Sequence, residues 1–175
     1  MKETLDAIKT ADAIILGPGS LYTSVIPNLL VKGIAQEIKK SKALKIYVCN
    51  IMTQQGETLG YSVYDHIQAI NEHAKNDIIQ YVIVNSSKIP EDMALLYSNE
   101  NAKEVFIDVE KLNNKKIKLI QDDFVNIDKG FIRHNYNKLS HCIFKLINEE
   151  KLAGEKKRIL DYYYINGKLK KLEKI

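Results

Sequence analysis

The sequence predicts an α/β fold built on a mainly parallel sheet, and three observations carry that prediction. Short apolar runs suited to strands recur about every 30 residues, with helical stretches between them. These runs are continuous rather than alternating, as strands covered on both faces must be. Turns rich in glycine, hydroxyl and amide groups follow the first two runs, at the carboxyl ends where open parallel sheets place their ligands.

In chain order the elements justify themselves as follows. Glu3–Lys9 is charged and amphipathic and opens the chain as a helix, without the apolar centre of a signal peptide. Ala13–Leu16 (AIIL) is the first strand. Leu29–Lys40 follows as a helix, with Leu30, Ile34 and Ile38 four residues apart. Lys45–Asn50 is the second strand. Ser62–Ala74 is the next helix, striped by Val63, Ile67, Ile70 and Ala74, with Ser62 and Asp65 spaced as a capping box. Tyr81–Asn85, Val105–Val109 and Ile117–Gln121 read as three further strands, and FIRHN, with Arg133, follows a short one. A helix that precedes the first strand needs an earlier strand to pack on, so the order suggests the second half of a larger fold.

Composition sets the outer limits. The chain has 175 residues, 45% hydrophobic and 27% charged, enough for one ordinary soluble domain with a core. No apolar run reaches 18 residues, so no membrane span is expected. Cys49 and Cys142 read as unpaired thiols, which points to a reducing, cytoplasmic setting. The net charge of +4 belongs to the tail: residues 151–175 hold eight bases against three acids, and residues 1–150 hold 18 against 19. We therefore divide the chain into a domain over 1–150 and a basic tail over 151–175. The tail reads as solvated or as a small hairpin closed by Asn166-Gly167, with no nucleic-acid partner expected.

The candidate site residues lie after the strands. Gly17-Pro18-Gly19-Ser20-Leu21-Tyr22-Thr23-Ser24 offers glycines for close backbone approach and hydroxyls suited to phosphate oxygens. It is neither a Walker A loop nor a dinucleotide fingerprint, and a tight structural turn is the plain alternative. Asn50 to Ser62 repeats the pattern with Thr53, Gln54, Gly56, Glu57, Thr58 and Tyr61, and Asn85-Ser86-Ser87 ends the third strand. Uncharged polar groups at three strand ends fit a sugar or a base better than acid–base chemistry, which calls for paired carboxylates in apolar surroundings. Glu57 and Asp65 are acid–base candidates with surface or capping roles as the simpler reading. His66 and His73, seven residues apart on one helix, lack a third ligand, so no metal site is expected. Arg133-His134 is a candidate anion clamp, or else a rim salt bridge.

Two long motifs carry a family resemblance. LGPGSLYTSVIPNLL at Leu16–Leu30 and IYVCNIMTQQGETLGYSVYDHI at Ile46–Ile67 closely resemble the bacterial gluconeogenesis factors (YvcK-type). These form a branch of the 2-phospho-L-lactate transferase-like (CofD-type) fold. YVIVN at Tyr81–Asn85, LLYSNENAKEVFIDVE around Tyr97, and Arg133–Asn135 follow in the family's order. The resemblance implies a Rossmann-like three-layer α/β/α domain that binds a nucleotide sugar, UDP-N-acetylglucosamine above others. It also implies a regulatory role in cell shape and cell-wall precursor supply during gluconeogenic growth. It assigns Gly17, Gly19, Ser20 and Thr23 to the phosphates. Asn50, Thr53, Gln54, Gly56, Glu57, Thr58 and Tyr61 would line the pocket, Tyr97 would stack, and Arg133 would pair with phosphate or ring oxygens.

The family's GGGTG turn and DDGGSSG segment occur nowhere here, Gln55 replaces a usual proline, and Leu59 replaces a usual carboxylate. The chain thus resembles the C-terminal half of the family domain. Its expected partners are a nucleotide-sugar ligand and either a separately encoded N-terminal half or a second copy of itself. A binding module without catalysis is the leading expectation. The alternatives are a Mg²⁺-dependent transferase of the phospholactyl type and a remnant without an intact site.

Overall fold

The computed structural model describes residues 2–152, so the basic tail beyond Leu152 and its Asn166-Gly167 turn lie outside the described residues. The chain divides into two compact units, the first ending at His134 and the second beginning at Asn135.

In the first unit, helix α1 (Lys2–Thr10) leads into strand β1 (Ala13–Leu16), and the sheet continues with β2 (Leu44–Val48), β3 (Tyr81–Asn85) and β4 (Lys118–Asp122). All three pairings are parallel and the strand order is β1-β2-β3-β4. The fold is therefore α/β, with the mainly parallel sheet that the sequence predicts. Continuous apolar runs mark the two central strands, whose residues are buried on both faces: Ile46, Tyr47 and Val48 are each 0% exposed, and Val82 and Ile83 follow at 0% and 1%. The edge strands are wetter, and Ile15 on β1 is 44% exposed.

Helices α2 (Ile26–Leu30), α3 (Ile34–Lys40), α4 (Val63–Ala74), α5 (Glu91–Ser98) and α6 (Val109–Asn114) supply the connections. Leu29, Ile34, Ile38, Ile67, Ile70 and Leu112 pack with Leu16, Tyr47, Val82 and Val84 into one core. The expected helix over 29–40 is broken in two. Val31 is extended (φ −64°, ψ 127°) and Gly33 sits at φ +90°, a conformation glycine adopts without a Cβ penalty. α4 begins where predicted, because Ser62 and Asp65 form the reciprocal capping box. Asp108 reinforces that start, accepting from the Ser62 hydroxyl at 2.7 Å and from the Tyr64 N–H at 3.0 Å.

The expected strand over 105–109 is not one. Its neighbourhood forms two isolated bridges, Glu104 with Met52 and Phe106 with Ser62, before α6 starts at Val109. The place beside β3 is taken by β4, and Phe106 is left 70% exposed. Strands β5 (Val125–Asp128) and β6 (Phe131–His134) then pair as an antiparallel hairpin, which places Arg133 within a strand and not after one.

The described part of the second unit is helix α7 (Tyr136–Leu152). Asn135 caps it, its side chain accepting from the Lys138 N–H at 3.1 Å. No helix among the described residues is long and apolar enough to cross a membrane.

Candidate functional site

The loops after β1 and β2 meet at the carboxyl edge of the sheet. Gly17 owes its identity to that meeting. Its φ is +80°, and a Cβ there would stand 2.8 Å from the Val48 carbonyl oxygen at the end of β2. The glycine lets two loops leave adjacent strands in contact, which is a reason within the fold itself. The Gly17–Pro18 peptide is cis. A π-helical turn over Leu21–Val25 then runs into α2, with Ser20 at its start.

The side chains of the two loops bond to one another. The Ser20 hydroxyl donates to Gln54 Oε1 at 2.8 Å, and the Thr23 hydroxyl donates to Glu57 Oε1 at 3.0 Å. The Tyr22 backbone N–H points at Glu57 Oε2 at 3.3 Å. The hydroxyls of Tyr22 and Tyr61 are 2.8 Å apart. That hydrogen bond to Tyr61, with partial burial, pushes the Tyr22 pKa up to about 12. Edge-to-face contacts extend the pair into a row, His73 to Tyr22 at 5.9 Å and Tyr61 to His66 at 5.6 Å between ring centres. Five of the predicted residues (Ser20, Thr23, Gln54, Glu57 and Tyr61) therefore form one connected group.

Other predicted residues serve the loops' own architecture. Thr53, 5% exposed, exchanges two hydrogen bonds with residue 103: its hydroxyl accepts from the Lys103 N–H and its N–H donates to the Lys103 carbonyl. Thr58 is 0% exposed, and its hydroxyl accepts from the Gln54 N–H at 3.0 Å. Gly56 turns the chain at φ +78°. Gly19 lies against Ser24, and Asn50 is half-buried beyond β2. Asn85 organises the far side of the sheet, its carbonyl oxygen accepting from the Ser87 hydroxyl and the Phe124 N–H. Asp65 is a capping residue. Burial opposes its charge, but the N–H and hydroxyl of Ser62 outweigh that and hold its carboxyl below the usual value.

Tyr97 and Arg133 are joined through the hairpin. The Tyr97 hydroxyl accepts from the Ile132 N–H at 3.0 Å, and Ile132 packs with Ile51, Ile89 and Met93. Arg133 is exposed, with its guanidinium 5.2 Å from the Phe131 ring centre. Next to it, His134 Nε2 donates to the Cys49 carbonyl at 3.2 Å and ties the hairpin to the end of β2, where Asn50 begins the second loop. Burial lowers the pKa of both His134 and His66, disfavouring the charged ring in each. Burial pushes the Cys49 thiol up to about 12, which leaves it a packing residue and not a nucleophile.

A recess of about 440 Å³ opens beside the joined loops, lined by Tyr22, Leu59, Gly60, Tyr61 and the α4 residues Asp65, Gln68 and Glu72. Of the residues singled out in the sequence, Tyr61 and the capping Asp65 border it. Tyr22, Gln68 and Glu72 escaped sequence reasoning, because their meeting spans loops and a helix flank with no local pattern. Among the described residues no three His, Cys, Asp or Glu side chains gather as metal ligands.

Comparison with known proteins places the chain. The profile of the family described as 2-phospho-L-lactate transferase CofD matches residues 1–125. A Clostridium acetobutylicum protein that carries a gluconeogenesis-factor name is 42% identical over 175 residues, all of this chain and 39% of its own length. That alignment includes the tail, which lies beyond the motifs that carry the resemblance. The gluconeogenesis factor of Bacillus subtilis is 43% identical over 149 residues, 85% of this chain and 47% of its own. A crystal structure of a Bacillus halodurans protein is 45% identical with a TM-score of 0.79, over 82% of this chain and 46% of that one. The chain thus spans under half the length of these relatives. Arg133 lies beyond the family match and within the region shared with the longer alignments. The chain belongs to the CofD family, and within it to the gluconeogenesis factors.

Proposed function

We propose that this chain carries the binding face for a nucleotide sugar, with UDP-N-acetylglucosamine the favoured ligand, and acts as a regulatory module without catalysis. The observation that supports this reading is the joined pair of loops after β1 and β2, whose hydroxyl, amide and backbone N–H groups sit together where parallel sheets bind ligands. Gly17, Gly19, Ser20 and Thr23 would face the diphosphate. Asn50, Gln54, Gly56, Glu57 and Tyr61 would flank it, with Thr53, Thr58 and Asn85 holding the loops in shape. Tyr97 and Arg133 would approach from the hairpin that His134 ties to β2.

The relatives' names refer to gluconeogenesis and to nothing further; control of cell shape and of cell-wall precursor supply during such growth, in the cytoplasm, is the setting proposed with the ligand. The chain spans 39 to 47% of these relatives, and we propose that the complete activity also needs what corresponds to their remaining part, with a separately encoded half or a second copy of this chain as the partner to test for. Among the described residues β1 pairs with β2 alone and exposes Ile15, which gives such a partner an edge to join. The transferase alternative is less well supported. A resident Mg²⁺ would need several oxygen ligands, and Glu57, the one acid within the joined loops, is engaged by Tyr22 and Thr23.

Isothermal titration with UDP-N-acetylglucosamine tests the proposal. Saturable binding that Arg133→Ala weakens at least tenfold, with no turnover in Mg²⁺ or Mn²⁺, is the expected result. Metal-dependent consumption of a nucleoside diphosphate substrate would instead establish the transferase, and no binding at all would leave the remnant.

A further inference from the structure

The donors best placed to receive a phosphate are already occupied. The Thr23 hydroxyl and the Tyr22 N–H both point at the carboxylate of Glu57, 34 and 35 residues away on the neighbouring loop, at 3.0 and 3.3 Å. Beside them the Ser20 hydroxyl is taken by Gln54 at 2.8 Å. A half-buried carboxylate beside a hydroxyl and a first-turn backbone N–H has the charge and the acceptor geometry of a phosphate oxygen pair. Glu57 itself sits on a turn held at both sides, by Gly56 at φ +78° and by the buried Thr58, so its reach is set by the backbone.

We propose that Glu57 is an internal occupant of the phosphate position, so that an anionic ligand enters by displacing it and loosening the bond between the two loops. The inference rests on the reading of the Gly17–Thr23 loop as the phosphate side. It adds two properties to that reading. The ligand class is one whose charge outcompetes a tethered carboxylate, a diphosphate and not a neutral sugar. Binding also separates Thr23 from Glu57, and this couples occupancy to the relative position of the two loops, which is how the site would signal to a partner.

The test compares the whole chain with Glu57→Gln, which keeps the shape and an acceptor and removes the charge, and with Glu57→Ala as a second variant in case the first folds poorly. The probes are inorganic pyrophosphate, uridine and UDP-N-acetylglucosamine at fixed ionic strength. Removing one like charge at hydrogen-bonding distance is expected to tighten pyrophosphate and the UDP-sugar about tenfold, equivalent to about 1.4 kcal/mol, and to leave uridine unchanged. Tighter pyrophosphate with no UDP-sugar binding by either protein would keep the Glu57 proposal and end the nucleotide-sugar reading. UDP-sugar binding that is equal in both proteins, or weaker in Glu57→Gln, would overturn the Glu57 proposal and leave the nucleotide-sugar reading standing. Absence of any anion binding in both variants would overturn it as well.

Discussion

Gly17→Ala isolates the structural reason for the first glycine of the loop, and Gly56→Ala is its control. Both residues have nearly the same positive φ, +80° and +78°. A left-handed conformation costs an L-residue about 1–2 kcal/mol in either place. The surroundings differ: an added Cβ meets the Val48 carbonyl oxygen at 2.8 Å at position 17 and nothing within 4 Å at position 56. Relieving that approach means moving the exit of β1 away from β2, within a close-packed core that resists displacement. Gly17→Ala should therefore lose about 3 kcal/mol in total and Gly56→Ala about 1 kcal/mol. At about 2–4 °C per kcal/mol for a chain of this size, the melting temperature should fall about 6–12 °C in the first and about 2–4 °C in the second. Differential scanning calorimetry of the three proteins without ligand reads this directly. Equal losses in the two variants would refute the argument that contact with Val48 fixes Gly17.

Three other outcomes are expected. Ser62→Ala removes the cap of α4 and the hydroxyl donor to Asp108, and should cost about 2 kcal/mol in urea unfolding with an unchanged slope. Tyr97→Phe leaves the buried Ile132 N–H without its acceptor, so it should cost about 1–3 kcal/mol and speed hydrogen exchange at Ile132 while β2 and β3 stay protected. Stability should fall as the pH drops below about 6.5, because the unfolded chain takes up protons that the buried rings of His66 and His134 refuse. The sign is that of a lowered folded pKa in a base: the contribution is complete above the unfolded value and lost below it. His134→Gln should flatten the urea-midpoint difference between pH 7 and pH 5.

Much of this architecture is written in local sequence, and the exceptions have physical causes. YVIVN coincides with β3 because a buried central parallel strand leaves few choices but apolar ones, and AIIL coincides with the edge strand β1 although Ile15 there is exposed. The capping box at Ser62 and Asp65 is a four-residue signal, and it holds. The segment at 105–109 has strand composition, but pairing is a contest for one edge of β3, and residues 118–122 occupy it. Periodicity across Leu29–Lys40 found Ile34 and Ile38 but misplaced Leu30, which is 62% exposed once Gly33 breaks the helix. At the site, composition identified the loops but not the division of labour within them. A threonine that satisfies a buried N–H, as Thr53 and Thr58 do, reads the same as one offered to a ligand. Pairings such as Ser20 with Gln54 and Tyr22 with Tyr61 join residues 34 and 39 positions apart, which no single-segment pattern can reveal.

The central claim, that the joined loops take a nucleotide sugar, is tested most directly by a thermal melt of the chain with and without UDP-N-acetylglucosamine. Ligand at about 100 times its dissociation constant adds about 2.7 kcal/mol to the stability of the folded state. The account predicts a cooperative melt raised by several degrees with UDP-N-acetylglucosamine and by less with N-acetylglucosamine alone. A cooperative melt that millimolar ligand leaves in place would contradict it.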